Sequence, residues 1–146
     1  MSKINDGLFS SSDVEYETPQ WLFDHFNSIF NFELDVCSSE DNAKCEKYYT
    51  IENDGLNQPW MKRNWMNPPY GRDIADWVQK AYEQGLKGKV TVCLIPARPD
   101  TRWFQDYVMK ADILHFIKGR LKFNDSKSSA PFPSAIAIFG LFKYEI

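Results

Sequence analysis

The sequence lacks any apolar run approaching the ~20 residues of a membrane-spanning helix. Its first residues, MSKINDGLFSSSDVEYE, hold no apolar signal core, so neither a bilayer span nor export is expected. Cysteine is scarce. Cys37, Cys45 and Cys93 are an odd number and form no CxxC pair. That argues against a disulfide framework, gives little support to a metal site, and suits a reducing cytosol. No internal repeat is visible.

What is present suffices for a core. Of the 146 residues, 43% are apolar and 16% aromatic, which predicts one compact domain with a sizeable hydrophobic centre. Residues 1–16 are polar and serine-rich and read as a loose N-terminal arm, leaving 17–146 as a single domain. The net charge of −3 conceals an asymmetry. Residues 1–57 carry three lysines against twelve acidic residues, a net of −9. Residues 58–146 carry fourteen basic residues against eight acidic ones, a net of +6. Either a polyanion touches the C-terminal half, or the two halves pair with each other.

Thr18-Pro19 reads as an N-cap and first helical residue, and apolar positions 22, 23, 26, 29 and 30 continue with helical period. Phe32–Val36 alternates as a short strand, Tyr48–Ile51 is a second β-prone run, and Asn53-Asp54-Gly55 signals a turn. Asn64–Met66 is a short strand running into two prolines. Ile74, Trp77, Val78, Ala81 and Tyr82 predict an amphipathic helix with Gly85 and Gly88 past its end. Val90–Ile95 reads as a strand buried on both faces, followed by a helix through Val108 capped by Asp100 or Thr101. Ile113–Ile117 and Ala135–Phe142 are the last two strands. The alternation predicts an α/β fold with a mostly parallel sheet, its last two strands able to pair antiparallel. Trp21, Trp77 and Trp103 are expected in the core, and His25 and His115 to be structural.

The most specific feature is Asn67-Pro68-Pro69-Tyr70 at a predicted strand end, where open α/β sheets hold their ligands. The pattern suits methylation of a planar amine, whose lone pair is delocalised and weakly nucleophilic. The Asn67 side-chain oxygen and the Pro68 carbonyl offer two acceptors for the two N–H bonds of such an amine. The prolines stiffen the backbone, and Tyr70 offers a flat face for an aromatic base.

Over about residues 15–140 the chain resembles the small phage-type DNA N6-adenine methyltransferases. The resemblance rests on Glu17-Thr18-Pro19, Leu34–Cys37, Asn42–Cys45, Asp54–Leu56, Asn67–Gly71, Pro96–Thr101, Ile117–Phe123 and Ala130–Ala135, in matching order. It implies a compact Rossmann-like methyltransferase fold, S-adenosyl-L-methionine as methyl donor, adenine in double-stranded DNA as acceptor, and action in the cytoplasm of a bacterial host. It also implies a catalytic role for Asn67, Pro68, Pro69 and Tyr70. Thr18 and Pro19 match an element that lies against the donor's methionine part, and a helix start there offers N–H groups to a carboxylate. Asp35 matches an acid for the donor's ammonium and Asp54 one for its adenine amine; both also read as plain turn residues. Cys37 is small enough to sit beside the donor or to be buried as an apolar residue.

The chain departs from most methyltransferases after its first strand, where Cys37-Ser38-Ser39-Glu40 has no glycine. Only 31 residues separate Asp35 from Asn67, too few for two full helical crossovers and their strands. The donor site is therefore compressed, with Glu46 and Glu52 as uncommitted candidates for the ribose. Arg98, Arg102, Lys118, Arg120 and Lys122 form a basic segment read as a DNA surface, with the last three cations on one face of a predicted strand and Arg120 placed for a guanine edge. A protected strand edge is the competing reading. Other acceptors remain open, namely N4 of cytosine, an RNA base or a protein glutamine, as does an inactive DNA-binding relative. No metal is called for, and monomer and homodimer both stay possible.

Overall fold

The computed structural model describes residues 16–125 and 127–142. Apart from Tyr16, the expected N-terminal arm lies outside them. Helix α1 (Gln20–Phe30) is followed by β1 (Leu34–Asp35), β2 (Arg63–Met66), α2 (Ile74–Leu86), β3 (Val90–Pro96), α3 (Arg102–Asp106), β4 (Ile113–Phe116) and β5 (Ser134–Phe139). The five strands form one sheet in the order β1-β2-β3-β5-β4. β1, β2 and β3 pair in parallel, and β5 runs antiparallel to both β3 and β4. The α/β fold with its antiparallel C-terminal pair is thus the expected one. No helix of the described residues is long and apolar enough to cross a membrane.

Strand alternation and ring contacts separate the two faces. On one, Phe23 and Phe32 pack on Trp65 of β2, with ring centroids 5.5 and 5.6 Å away, and bring α1 onto the sheet. On the other, Tyr82 of α2 meets Phe139 of β5 at 6.2 Å and Phe104 of α3 stacks on Phe116 of β4 at 6.4 Å. β3 is buried on both faces, as its apolar run predicts, because helices cover it above and below. The helical period over 74–82 matches what is buried: Ile74, Trp77, Val78 and Ala81.

Several local expectations are corrected. Helix α1 begins one residue later than expected, because Pro19 is extended and no side chain caps it. The Thr18 hydroxyl is engaged elsewhere. Tyr48–Ile51 forms no strand; Tyr48 makes a single parallel bridge to Asp35, and residues 47–49 hydrogen-bond along the open edge of β1. Gly85 lies inside α2, where its bare Cα lets Gly140 approach, and the chain leaves the helix at Gly88, with φ +82°. The strand expected over 32–36 contracts to two residues, the strand over 135–142 ends at Phe139, and α3 ends at Asp106. Trp21 is 63% exposed, because α1 turns Leu22 and Phe23 inward and leaves their neighbour outside. Trp77 is buried and Trp103 half-buried, while His25 and His115 are exposed. Residues 118–122 form no strand, since Gly119, at φ +79°, turns the chain there.

The compressed crossover has a physical counterpart. Between β1 and β2 the chain carries no α-helix, only a single 3-10 turn, Gly55–Asn57. That turn lies directly against the end of β1: a methyl group on Gly55 would sit 2.3 Å from the Val36 carbonyl oxygen and 3.0 Å from the Trp77 ring. Here it is a glycine on the facing loop that lets two backbone segments meet at the end of β1. Lys80 of α2 locks this loop, donating to the carbonyls of Leu56 (2.7 Å) and Gln58 and lying 5.2 Å from the Trp60 ring centre. Gly55→Ala is expected to destabilise the fold by about 1–3 kcal/mol, since backbone must move to admit the methyl. A urea midpoint equal to wild type would contradict that close approach.

Candidate active site

The parallel strands end together, so the loops after β1, β2, β3 and β4 emerge at one edge of the sheet. Where β1 and β2 end lies a cavity of about 390 Å³. Its lining includes Thr18, Asp35, Cys37, Asp54, Asn67, Pro68, Pro69 and Tyr70. Eight of the nine residues expected at the donor and acceptor sites therefore share one concavity. The ninth, Pro19, is buried beside Thr18 and does not line it.

Asp35 is the buried charge of the cavity, 3% exposed at the end of β1. Its carboxylate accepts from the backbone N–H of Cys37 (3.3 Å) and of Lys44 (3.0 Å), closing the glycine-free loop upon itself. Burial pushes its carboxyl up to about 7, against the pull of those two N–H groups and the Lys44 charge. Next along the loop, the Ser38 hydroxyl is buried without a hydrogen-bond partner among the described residues. Asp54 takes the left-handed conformation, φ +57°, and its carboxylate accepts from the Asn57 side chain. It is thus a turn residue that also lines the cavity. Glu46 and Glu52 are exposed and lie outside the lining, whereas Asp73, unsuspected from the sequence, is within it.

Asn67 leaves β2 with both ends of its amide engaged. Its nitrogen donates to the Tyr16 carbonyl and to the Thr18 hydroxyl at 3.0 Å. Its oxygen accepts from the Tyr70 hydroxyl at 2.8 Å, which also lies 3.3 Å from the Leu94 carbonyl. Tyr70 is 7% exposed, and burial and then the neighbouring Tyr16 raise its phenol well above the ordinary range. One of its faces is covered by the Tyr16 ring, stacked at 5.2 Å and 16°. Phe132 and Phe123 stand edge-on to Tyr70 at 5.4 and 6.2 Å. Tyr16, Phe123 and Phe132 were not anticipated. Tyr16 stood among polar residues, and the other two belong to a loop that only the fold brings across to β2. That loop is tied to the N-terminal segment, where the backbone N–H of Glu17 donates to the Asn124 side chain.

The profile of the family described as DNA N-6-adenine-methyltransferase (Dam) matches residues 8–140. The chain belongs to the DNA N-6-adenine-methyltransferase family. Among curated proteins it is similar to a DNA N-6-adenine-methyltransferase of Haemophilus phage HP1, at 31% identity over 117 residues, covering 77% of this chain and 68% of the relative. It is also 34% identical over 110 residues to the DNA N-6-adenine-methyltransferase of Escherichia phage T1, covering 73% of this chain and 45% of that relative. This member of the family keeps Arg98, Lys118, Arg120 and Lys122 exposed on the loops and turns that follow β3 and β4, and Arg102 exposed at the first residue of α3, at the same sheet edge as the cavity. Arg120 also reaches the Ala130 carbonyl at 3.4 Å, bridging the ends of the loop that carries Phe123.

Proposed function

We propose that the chain binds S-adenosylmethionine in the cavity at the ends of β1 and β2 and methylates N6 of an adenine turned out of double-stranded DNA, in the cytoplasm of a host cell. The observation that carries this reading is the amide of Asn67. It stands at the cavity wall beside a buried aromatic face, and family membership supplies adenine N6 in DNA as the acceptor.

The cavity suits the donor on its own chemistry. Its volume falls within the roughly 300–1,000 Å³ of small-molecule sites. The buried Asp35 carboxylate fits an ammonium, and the unpartnered Ser38 hydroxyl fits a polar group of the ligand. Val36, Leu56 and Trp77 offer apolar surface for a nucleoside base. Cys37 and Asp54 also line the wall. When bound, S-adenosylmethionine supplies an electrophilic methyl group carried on a sulfonium.

Asn67 and Pro68 do the rest by position. The Asn67 oxygen, with one lone pair toward Tyr70, has a second for an incoming N–H. The Pro68 carbonyl takes the other N–H of the acceptor amine. A neutral amide is too weak a base to remove a proton, so these groups accept hydrogen bonds while charge develops and the proton leaves to water. Pro69 restricts the backbone behind them. Tyr70 gives the base its stacking surface, and the base takes the place of the Tyr16 ring stacked on it. The exposed cations at the same edge meet phosphates, which brings the duplex to the acceptor slot.

Asn67→Ala is expected to lower transfer by about 10²–10³-fold while donor binding persists, because one acceptor aligned on the developing charge is lost. Near wild-type turnover would remove Asn67 from the reaction. For Asp35 the sign follows from its raised carboxyl. Between the unfolded value of 3.8 and about 7 the free fold holds a proton that the unfolded chain has released, so stability falls as pH rises through that window. A cationic ligand favours the ionised form. Calorimetry of donor binding is therefore expected to show affinity falling below about pH 7, by up to about tenfold per unit. In Asp35→Asn that acid limb should vanish and binding weaken; a variant with the wild-type profile would place the ammonium elsewhere. For the basic segment, Lys118→Ala with Lys122→Ala should lower the log–log salt slope of DNA binding by about 0.9 per lost phosphate contact. An unchanged slope would return the segment to a protected surface.

A further inference from the structure

Thr18 is a residue whose sequence context points to the donor, yet its hydroxyl is engaged with two side chains of the sheet. The Thr18 oxygen lies 3.0 Å from the Asn67 side-chain nitrogen and 3.2 Å from the indole nitrogen of Trp65. The donor and acceptor assignments follow from chemistry alone. An indole N–H only donates, so the Thr18 oxygen accepts from it. The Tyr16 carbonyl only accepts, so the Asn67 group facing it is the NH₂. Both amide hydrogens of Asn67 are thereby consumed by Tyr16 and Thr18. The amide cannot rotate by half a turn without setting its oxygen against a carbonyl.

We propose that Thr18 is a positioning residue for the reaction, holding the Asn67 amide so that its oxygen faces the acceptor amine. The inference rests on the reading of Asn67 as the acceptor-binding group. Trp65 is part of the device: it is wholly buried in β2 and anchors the Thr18 hydroxyl to the sheet, so that the segment before α1 and the end of β2 move as one. Thr18 itself is 7% exposed, so water is poorly placed to replace it. The arrangement also explains why Thr18 does not cap α1: its oxygen already accepts two hydrogen bonds.

The obvious variant, Thr18→Val, also strands the buried Trp65 indole and can unfold the protein for that reason alone. The test therefore uses Thr18→Val combined with Trp65→Phe, alongside Trp65→Phe alone, Thr18→Ser and Asn67→Ala. Thr18→Ala in the same Trp65→Phe background serves if the valine double variant does not fold. The double variant is expected to lose about 10- to 100-fold in kcat with little change in KM for DNA or donor, as expected when a reacting group is misoriented rather than removed. Trp65→Phe alone, which loses the anchor but keeps the Thr18 hydroxyl, sets the reference rate for the double variant, and Thr18→Ser, which keeps that hydroxyl, should retain most of the wild-type kcat. A second readout needs neither donor nor DNA. The side-chain NH₂ resonances of Asn67, assigned by their loss in Asn67→Ala, should shift upfield in the double variant and hold their place in Thr18→Ser. A double variant with wild-type kcat, or with unshifted resonances, overturns the proposal. So does a loss that falls on KM for the donor, which would return Thr18 to the donor site. If Asn67→Ala itself keeps its turnover, the reading of Asn67 fails first, and the outcome is separable from a failure of Thr18.

Discussion

The amide of Asn67 joins the two halves of the site. Its nitrogen ties the segment before α1 to the end of β2 through Tyr16 and Thr18, and its oxygen ties β2 to Tyr70. The Tyr70 hydroxyl in turn lies within reach of the β3 backbone at Leu94. A planar group with two donors and one oxygen is the simplest side chain able to satisfy a carbonyl, a hydroxyl and a phenol at once. Around it the aromatic rings of Tyr16, Phe123 and Phe132 pack on Tyr70.

The second constraint is topological. Three parallel strands end at one edge, β4 ends there too, and β5, running the other way, starts there, so the loop between β4 and β5 lies at that edge. The carboxylate of Asp35, the amide of Asn67 and the basic loops are therefore neighbours although they are spread across more than half the sequence. The acidic N-terminal half contributes Asp35 and Asp54 to the cavity, and the basic C-terminal half contributes the exposed cations. The charge asymmetry thus follows a division of surface, with only one ion pair, Arg63 to Glu33 at 3.5 Å, seen among the described residues.

Much of this was legible in the sequence because it is local. The period of Ile74, Trp77, Val78 and Ala81, the unbroken apolar run of β3, and the Thr101 cap of α3, whose oxygen accepts from the Phe104 N–H at 3.3 Å, all act within a few residues. The Asn67–Tyr70 motif was legible because two prolines forbid regular structure at a strand end. What escaped depends on distant partners. Thr18 reads as a cap until Trp65 and Asn67 are seen to compete for its hydroxyl. Lys118–Phe123 alternates like a strand, yet Gly119 turns it and no neighbouring strand pairs with it. Gly55 reads as a turn residue, while its larger role is to let a loop meet the Val36 carbonyl. The family itself was recognisable from ordered motifs even without the glycine loop.

The account stands most directly on the product of the reaction. The full chain would be incubated with double-stranded DNA and S-adenosylmethionine labelled in its methyl group, and the DNA digested to nucleosides and separated. The account predicts label in N6-methyldeoxyadenosine and in no other nucleoside. Label in N4-methylcytosine would contradict it, as would a protein that binds the donor and leaves every nucleoside unlabelled.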